Sequence, residues 1–183
     1  MWRAEDIFFA ALGGGGFGQP PITTPDELAG RVPADGAEMR SLVNAPMMHG
    51  GGQWVSWITF YGGGTVILNA DHHFDGEKVW RLAAAERALT VMVVGDAMAR
   101  PLTEALDHLP PDVDISSVIS VGSGGSILSP AIKDHLRAKL PNVFVMDSFG
   151  ASETGAADAS ACSYATAPSP SVTVPDSSSS CRR

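Results

Sequence analysis

Five short, largely apolar runs recur along the chain with helix-like segments between them, and this alternation restricts the fold more than any other feature. The runs are residues 41–44 (Ser-Leu-Val-Asn), 65–69 (Thr-Val-Ile-Leu-Asn), 89–94, 117–121 and 142–146. The strongest, 89–94, reads Leu-Thr-Val-Met-Val-Val and ends at Gly95-Asp96. Continuous rather than alternating apolar runs suit strands buried on both faces, as in a parallel sheet. The intervening helices have legible starts. Thr24-Pro25-Asp26-Glu27 reads as a capping box with Pro at the first helical position. Ser129-Pro130 opens a helix over 131–140 the same way, with Ile132, Leu136 and Leu140 on one face and Lys133, Arg137 and Lys139 on others. Residues 74–87 turn Val79, Trp80, Leu82 and Ala83 inward, and residues 6–12 are helical. The pattern predicts an α/β fold with a mostly parallel sheet flanked by helices. Ligands of such sheets sit at the C-terminal strand ends, which directs attention to the loops after Asn44, Val94, Val121 and Met146.

Length and charge narrow the function. The 183 residues carry 12 Lys+Arg against 20 Asp+Glu, a net charge of −8, enough chain for one domain with a real core. The acidic balance excludes the basic face of a nucleic-acid binder. No apolar run reaches the roughly 18 residues of a membrane span. The first six residues lack the basic-then-apolar order of a signal peptide. The expectation is a cytoplasmic protein, with peripheral membrane association as a secondary reading. The only cysteines, Cys162 and Cys181, lie near the C-terminus, so the body has no disulfide framework and no thiolate metal site.

The composition changes at residue 156. Ser, Ala, Pro and Thr make up 19 of the last 28 residues, and Leu, Ile, Met, Phe and Trp are absent from them. Such a stretch buries too little apolar surface to offset ordering its backbone. The expected division is a folded body over 1–155 and a low-complexity tail over 156–183, disordered or out of frame. A flexible linker or a phosphorylated tail is the alternative.

Several motifs compete for the site. Gly-Gly-Gly-Gly-Phe-Gly at 13–18 satisfies GxGxxG, but a helical run precedes it and Gln19-Pro20-Pro21 follows, so it reads as a loop after a helix end. Gly-Ala-Ser-Glu-Thr at 150–154 approaches a nucleophile elbow. The fifth residue is Thr, and no His follows the Ser, because the last is His135. His72 and His73 sit beside Asp71 and Asp75 in a loop, without metal-ligand spacing. His49 ends Asn44-Ala45-Pro46-Met47-Met48 and precedes three glycines, where it lines a pocket or packs in a loop. The Gly/Ser segments at 122–126 and 147–155 each follow a strand. Glycine lets backbone approach a ligand, hydroxyls and amides hold phosphate oxygens, and a carboxylate can take Mg²⁺. Together they read as a nucleotide pocket between adjacent strands, against ordinary turn chemistry.

In these segments the body resembles the acyl-CoA synthetase branch of the adenylate-forming, AMP-binding enzymes, and is similar to fatty-acid–CoA ligases. The resemblance lies in the order of five segments over most of 1–155: Pro46-Met47-Met48-His49-Gly50, Gly62-Gly63-Gly64-Thr65-Val66, Val94-Gly95-Asp96-Ala97 with Arg100-Pro101-Leu102, Ser123-Gly124-Gly125-Ser126, and Phe149-Gly150-Ala151-Ser152-Glu153. It implies part of the N-terminal domain of that fold. It also implies two-step chemistry, in which a carboxylate attacks the ATP α-phosphate and the thiol of CoA then displaces AMP. By resemblance Ser152 and Glu153 are catalytic, Ser152 on the α-phosphate and Glu153 holding Mg²⁺. Nucleotide contacts fall to Gly124, Gly125, Ser126, Asp147, Ser148, Phe149, Gly150, Ala151 and Ser152, with Phe149 stacking on adenine and Asp147 accepting from its amino group. His49, Gly50, Trp54 and Gly124 border the acyl channel. The expected small-molecule partners are ATP or AMP, CoA and a carboxylic acid such as a fatty acid. The family's Lys-Gly phosphate loop and lid domain find no counterpart in the sequence, so a fragment with no ligase activity alone is expected, self-associating through exposed core surface. A non-catalytic module binding adenylate or acyl ligand, or an interaction remnant, is the alternative.

Overall fold

The computed structural model describes residues 3–15, 20–33, 38–151 and 155–160; the side chains of Phe149 and of 155–160 are outside the description. In chain order the elements are α1 (Ala4–Ala10), α2 (Pro25–Gly30), β1 (Arg40–Val43), α3 (Gly50–Tyr61), β2 (Thr65–Leu68), α4 (Gly76–Ala85), β3 (Thr90–Val93), α5 (Gly95–Ala105), β4 (Ser120–Gly124), α6 (Pro130–Lys139), β5 (Phe144–Ala151) and β6 (Gly155–Ser160). The strands form one sheet in the order β2-β1-β3-β4-β5-β6. The first five are mutually parallel and β6 is antiparallel to β5. The predicted α/β architecture with a parallel sheet is therefore the observed one. The order reverses between β1 and β3, and crevices of doubly wound sheets open at such a switch point.

The two faces differ. Leu42, Val91, Val93, Val121 and Val145 share one face by register, and α4, α5 and α6 cover it with Val79, Trp80, Ala83, Leu102, Ile132 and Leu136. Trp80 is fully buried, and its indole N–H donates to the Leu102 carbonyl at 2.8 Å, which removes the cost of burying that polar edge. On the other face α3 packs over β1 and β2, where the Thr59 hydroxyl meets the Ser41 hydroxyl at 2.8 Å. α1 packs against β6 and, through Phe8, stacks edge-on against Tyr61 at 5.6 Å.

Local chemistry departs from expectation in five places. Thr24 caps α2 as predicted, accepting from the Glu27 N–H at 3.3 Å, but the Glu27 carboxylate reaches Thr23, taking its N–H at 2.8 Å and its hydroxyl at 2.7 Å. Ser129 is the N-cap of α6, with Pro130 at the first position, yet its side chain makes no cap bond. The fourth strand begins at Ser120 rather than 117. A turn holds 114–118, in which the Val118 N–H donates to Ile115 and Asp114 accepts from the Ser116 N–H. Both β4 and β5 continue past their apolar runs: β4 reaches Gly124 by pairing with β5, and β5 reaches Ala151 by pairing first with β4, as far as Ser148, and then with β6. Residues 156–160, placed in the low-complexity tail, lie in β6, where pairing with β5 supplies the partners that composition alone does not promise. The rest of that tail, from 161, is outside the described residues. Gly13, Gly14 and Gly15 form a short 3₁₀ turn after α1, with φ of 58, 66 and 95°; residues 16–18 of that run lie outside the described residues.

Candidate functional site

The two Gly/Ser segments meet as neighbours at the C-terminal edge of the sheet. β4 and β5 run side by side with Ser123 opposite Asp147 and Gly124 opposite Ser148. Gly122 and Gly124 lie inside β4, where glycine weakens a strand. Neither has a positive φ. A Cβ on Gly122 would meet only Met92 Sδ at 3.4 Å and the Met146 methyl at 4.0 Å. One on Gly124 would meet the Met92 methyl at 3.3 Å and the Ser148 carbonyl at 3.5 Å. The nearest neighbours are thus ends of flexible methionines, and the chain's own packing does not require glycine at either position. Gly125 follows with φ of 81°, exposed, a Cβ there meeting only Val94 at 3.9 Å.

The loop after β4 is tied to the start of α5. The buried Ser123 hydroxyl accepts from the Gly95 N–H at 2.9 Å. The Asp96 N–H donates to the Ile127 carbonyl at 3.0 Å, and Asp96 Oδ1 accepts from the Ser129 N–H at 2.7 Å. That last bond is the main reason the Asp96 carboxyl titrates below the usual carboxylate range. Asp147 shares its face of β5 with Val145, turned toward α6, and its carboxylate pairs with Lys133 Nζ at 2.7 Å, both side chains being about three-quarters buried.

At the switch point, His49 is the N-cap of α3, exposed and without a side-chain cap bond. The Trp54 indole lies over Gly50, where a Cβ would come within 3.0 Å of the ring. Gln53 Nε2 donates to the Met47 carbonyl at 2.9 Å and ties the 46–49 turn to α3. Two surface cavities, of about 310 and 590 Å³, open elsewhere, at the N-terminal edge of the sheet, and share Ala85, Arg87 and Ser117. Neither contains a residue the sequence singled out.

The sequence matches the family AMP-binding enzyme over residues 26–181. The chain belongs to the AMP-binding enzymes. This family match runs beyond residue 155, so the change in composition at 156 is not where it ends. Among curated relatives, the chain is 38% identical over 159 residues to the medium-chain acyl-CoA ligase Mig of Mycobacterium avium, covering 85% of this chain and 28% of that one. It is 36% identical over 162 residues to a 3-oxocholest-4-en-26-oate–CoA ligase of Rhodococcus rhodochrous, with the same coverages. The chain thus spans 28% of the length of these relatives. Its fold is similar to that of the luciferase-like enzyme from the mealworm Zophobas morio, with a TM-score of 0.56 at 22% identity over 66% of this chain and 28% of that one.

For an AMP-binding enzyme, the structure gathers part of the expected set. Gly124, Gly125, Ser126, Asp147, Ser148, Gly150 and Ala151 fall on the adjacent ends of β4 and β5 or the loop between β4 and α6. Ser152, Glu153 and the side chain of Phe149 lie outside the described residues. His49, Gly50 and Trp54 stand at the same edge, but β3 separates them from Gly124. Among the described residues no group of three or more His, Cys, Asp or Glu could hold a metal, and no helix is long and apolar enough to cross a membrane. Sequence reasoning missed Lys133, which helical periodicity puts off the apolar face; its pairing with Asp147 spans two elements. It also missed Ser123 and Asp96 as anchors, because a cap contributed by another strand leaves no local pattern.

Proposed function

We propose that the chain forms the strand-end wall of an ATP-dependent acid–CoA ligase site, where an acyl-adenylate lies against the backbone of β4. The observation that carries this is the pair Gly122 and Gly124, glycines that neither backbone conformation nor internal packing demands. Strand glycines of that kind mark a close approach by something else. Membership of the AMP-binding family and the names of the relatives supply the chemistry. The substrate carboxylate attacks the ATP α-phosphorus and pyrophosphate leaves. The CoA thiol then attacks the acyl carbonyl, loses its proton, and AMP leaves. In this reading Gly124 and Gly125 give the adenylate room, and Asp147, on the α6 side of β5 and paired with Lys133, meets the adenine amino group at the strand end rather than on the face of Gly124. Phe149 stacks on the base and Ser152 contacts the α-phosphate. His49, Gly50 and Trp54 border the carboxylate and its apolar tail. Mg²⁺ would neutralise phosphate charge in adenylyl transfer. Glu153, the residue the resemblance assigns to it, is outside the described residues. The preferred acid is an apolar carboxylic acid and the compartment the cytoplasm.

The test is calorimetry of the purified 183-residue chain with AMP, ATP and a non-hydrolysable acyl-sulfamoyl adenosine. Saturable binding of the mimic supports the wall, and no heat with any of the three removes it. Turnover is the second measurement. We expect no acyl-CoA from this chain alone, and robust thioester formation would overturn the view of it as a binding wall.

A further inference from the structure

We propose that Asp96 is a positioning residue, which holds the 125–129 loop in a fixed shape beside the glycines of β4; this rests on the ligand-binding reading above. The anchoring is concentrated in two successive residues. Gly95 ties the end of β4 through its N–H to the buried Ser123 hydroxyl at 2.9 Å. Asp96 ties the loop twice, through its N–H to the Ile127 carbonyl at 3.0 Å and through Oδ1 to the Ser129 N–H at 2.7 Å. The approach is close enough to dictate Gly95. Its φ is 54°, and a Cβ there would sit 2.7 Å from Ser126 Cβ and 2.8 Å from the Ile127 carbonyl. The chain is therefore held at 123, 127 and 129, and the residues between, Gly124, Gly125 and Ser126, are those the function needs. The Ile127 side chain, 81% exposed, is turned outward by a backbone that is itself pinned.

A wall fixed in this way does not have to order when the ligand arrives, which conserves affinity. The alternative role for Asp96 is generic: an acid in the first turn of α5, stabilising the helix through its dipole. That role would leave the Ser129 amide and the ligand unaffected.

Asp96→Ala removes the acceptor, whereas Asp96→Asn keeps a carbonyl oxygen able to take the Ser129 N–H. Residue-resolved amide exchange by NMR, with calorimetry of the acyl-sulfamoyl adenosine, separates the roles. In Asp96→Ala the Ser129 amide is expected to exchange about tenfold faster while Val121 and Val145 exchange as in the native chain, and the mimic to bind about tenfold more weakly. Asp96→Asn should restore most of both. If Asp96→Ala does not fold, Ser123→Ala is read instead and should loosen the same loop. An unchanged Ser129 amide overturns the proposal, as does a freed amide with unchanged affinity. If the native chain binds no mimic, the functional reading falls, and the anchor is decided by exchange alone.

Discussion

The two faces of this sheet use the same strands differently. Under α4, α5 and α6, positions alternate with large branched or aromatic side chains, and Val79, Trp80, Val91, Val93, Leu102, Val121 and Leu136 are fully buried. On the opposite face, β3, β4 and β5 present Met92, Gly122, Gly124, Met146 and Ser148, and Phe144 is 61% exposed. The first face is a finished interior. The second is lined by side chains that are small or that bend, the composition of a surface that accommodates something besides itself. Stability is thus concentrated on one side of the sheet and adaptability on the other, with the hydrogen-bonded ladder common to both.

Truncation gives the largest contrast. Trp80→Ala should cost about 3–5 kcal/mol in urea denaturation, while Met92→Ala should cost less than about 2, since Met92 is half-buried and its neighbours include two glycines. Equal costs would end the distinction between the faces. Added volume comes next. Gly124→Ala should leave stability within about 1 kcal/mol, because the added Cβ crowds only the end of the Met92 side chain, at 3.3 Å. Its effect on the acyl-sulfamoyl adenosine should exceed about tenfold, as the side chain takes the ligand's place. Self-association is the third expectation. Trp57, Phe60 and Met48 are exposed at 53, 52 and 82%, and α3 carries no charged residue. Light scattering should show concentration-dependent oligomers that Trp57→Glu reduces. A monodisperse monomer with a cooperative melt would contradict this.

The smallest effect is that of pH. Asp6, Glu27, Asp96, Asp107 and Asp114 are all held below their ordinary range, chiefly by Arg3, the Thr23 N–H, the Ser129 N–H, Lys139 and the Ser116 hydroxyl respectively. A carboxyl with a depressed native pKa contributes stability that is complete above its unfolded value and is lost as pH falls toward the native one. The melting temperature should therefore stay level from neutrality and decline only below about pH 4. A decline beginning near pH 6 would contradict this.

Much of the buried face was legible because its signals are local. Periodicity alone turned Val79, Trp80 and Ala83 inward, and Pro25 and Pro130 marked two helix starts. The second face was not legible, since its information is held between strands. Gly122-Ser123-Gly124 reads as a loop until Met92 and Met146 supply ladder partners from elsewhere in the chain. The same limit hid Lys133 behind a helical pattern and Asp96 behind a strand end. The edge on which the site lies followed from the β/α alternation; the face on which a ligand would rest did not.

Strand order also has a consequence for synthesis. Asn44, just past β1, hydrogen-bonds to the Met92 carbonyl, 48 residues further on. As the chain emerges from a ribosome, β1 can pair with β2 early, but its inner edge stays open until β3 has cleared the exit. For that interval the nascent protein offers an apolar strand with unpaired amides to any neighbour, so the strand order that creates the switch point also leaves a pairing edge open while the chain is made.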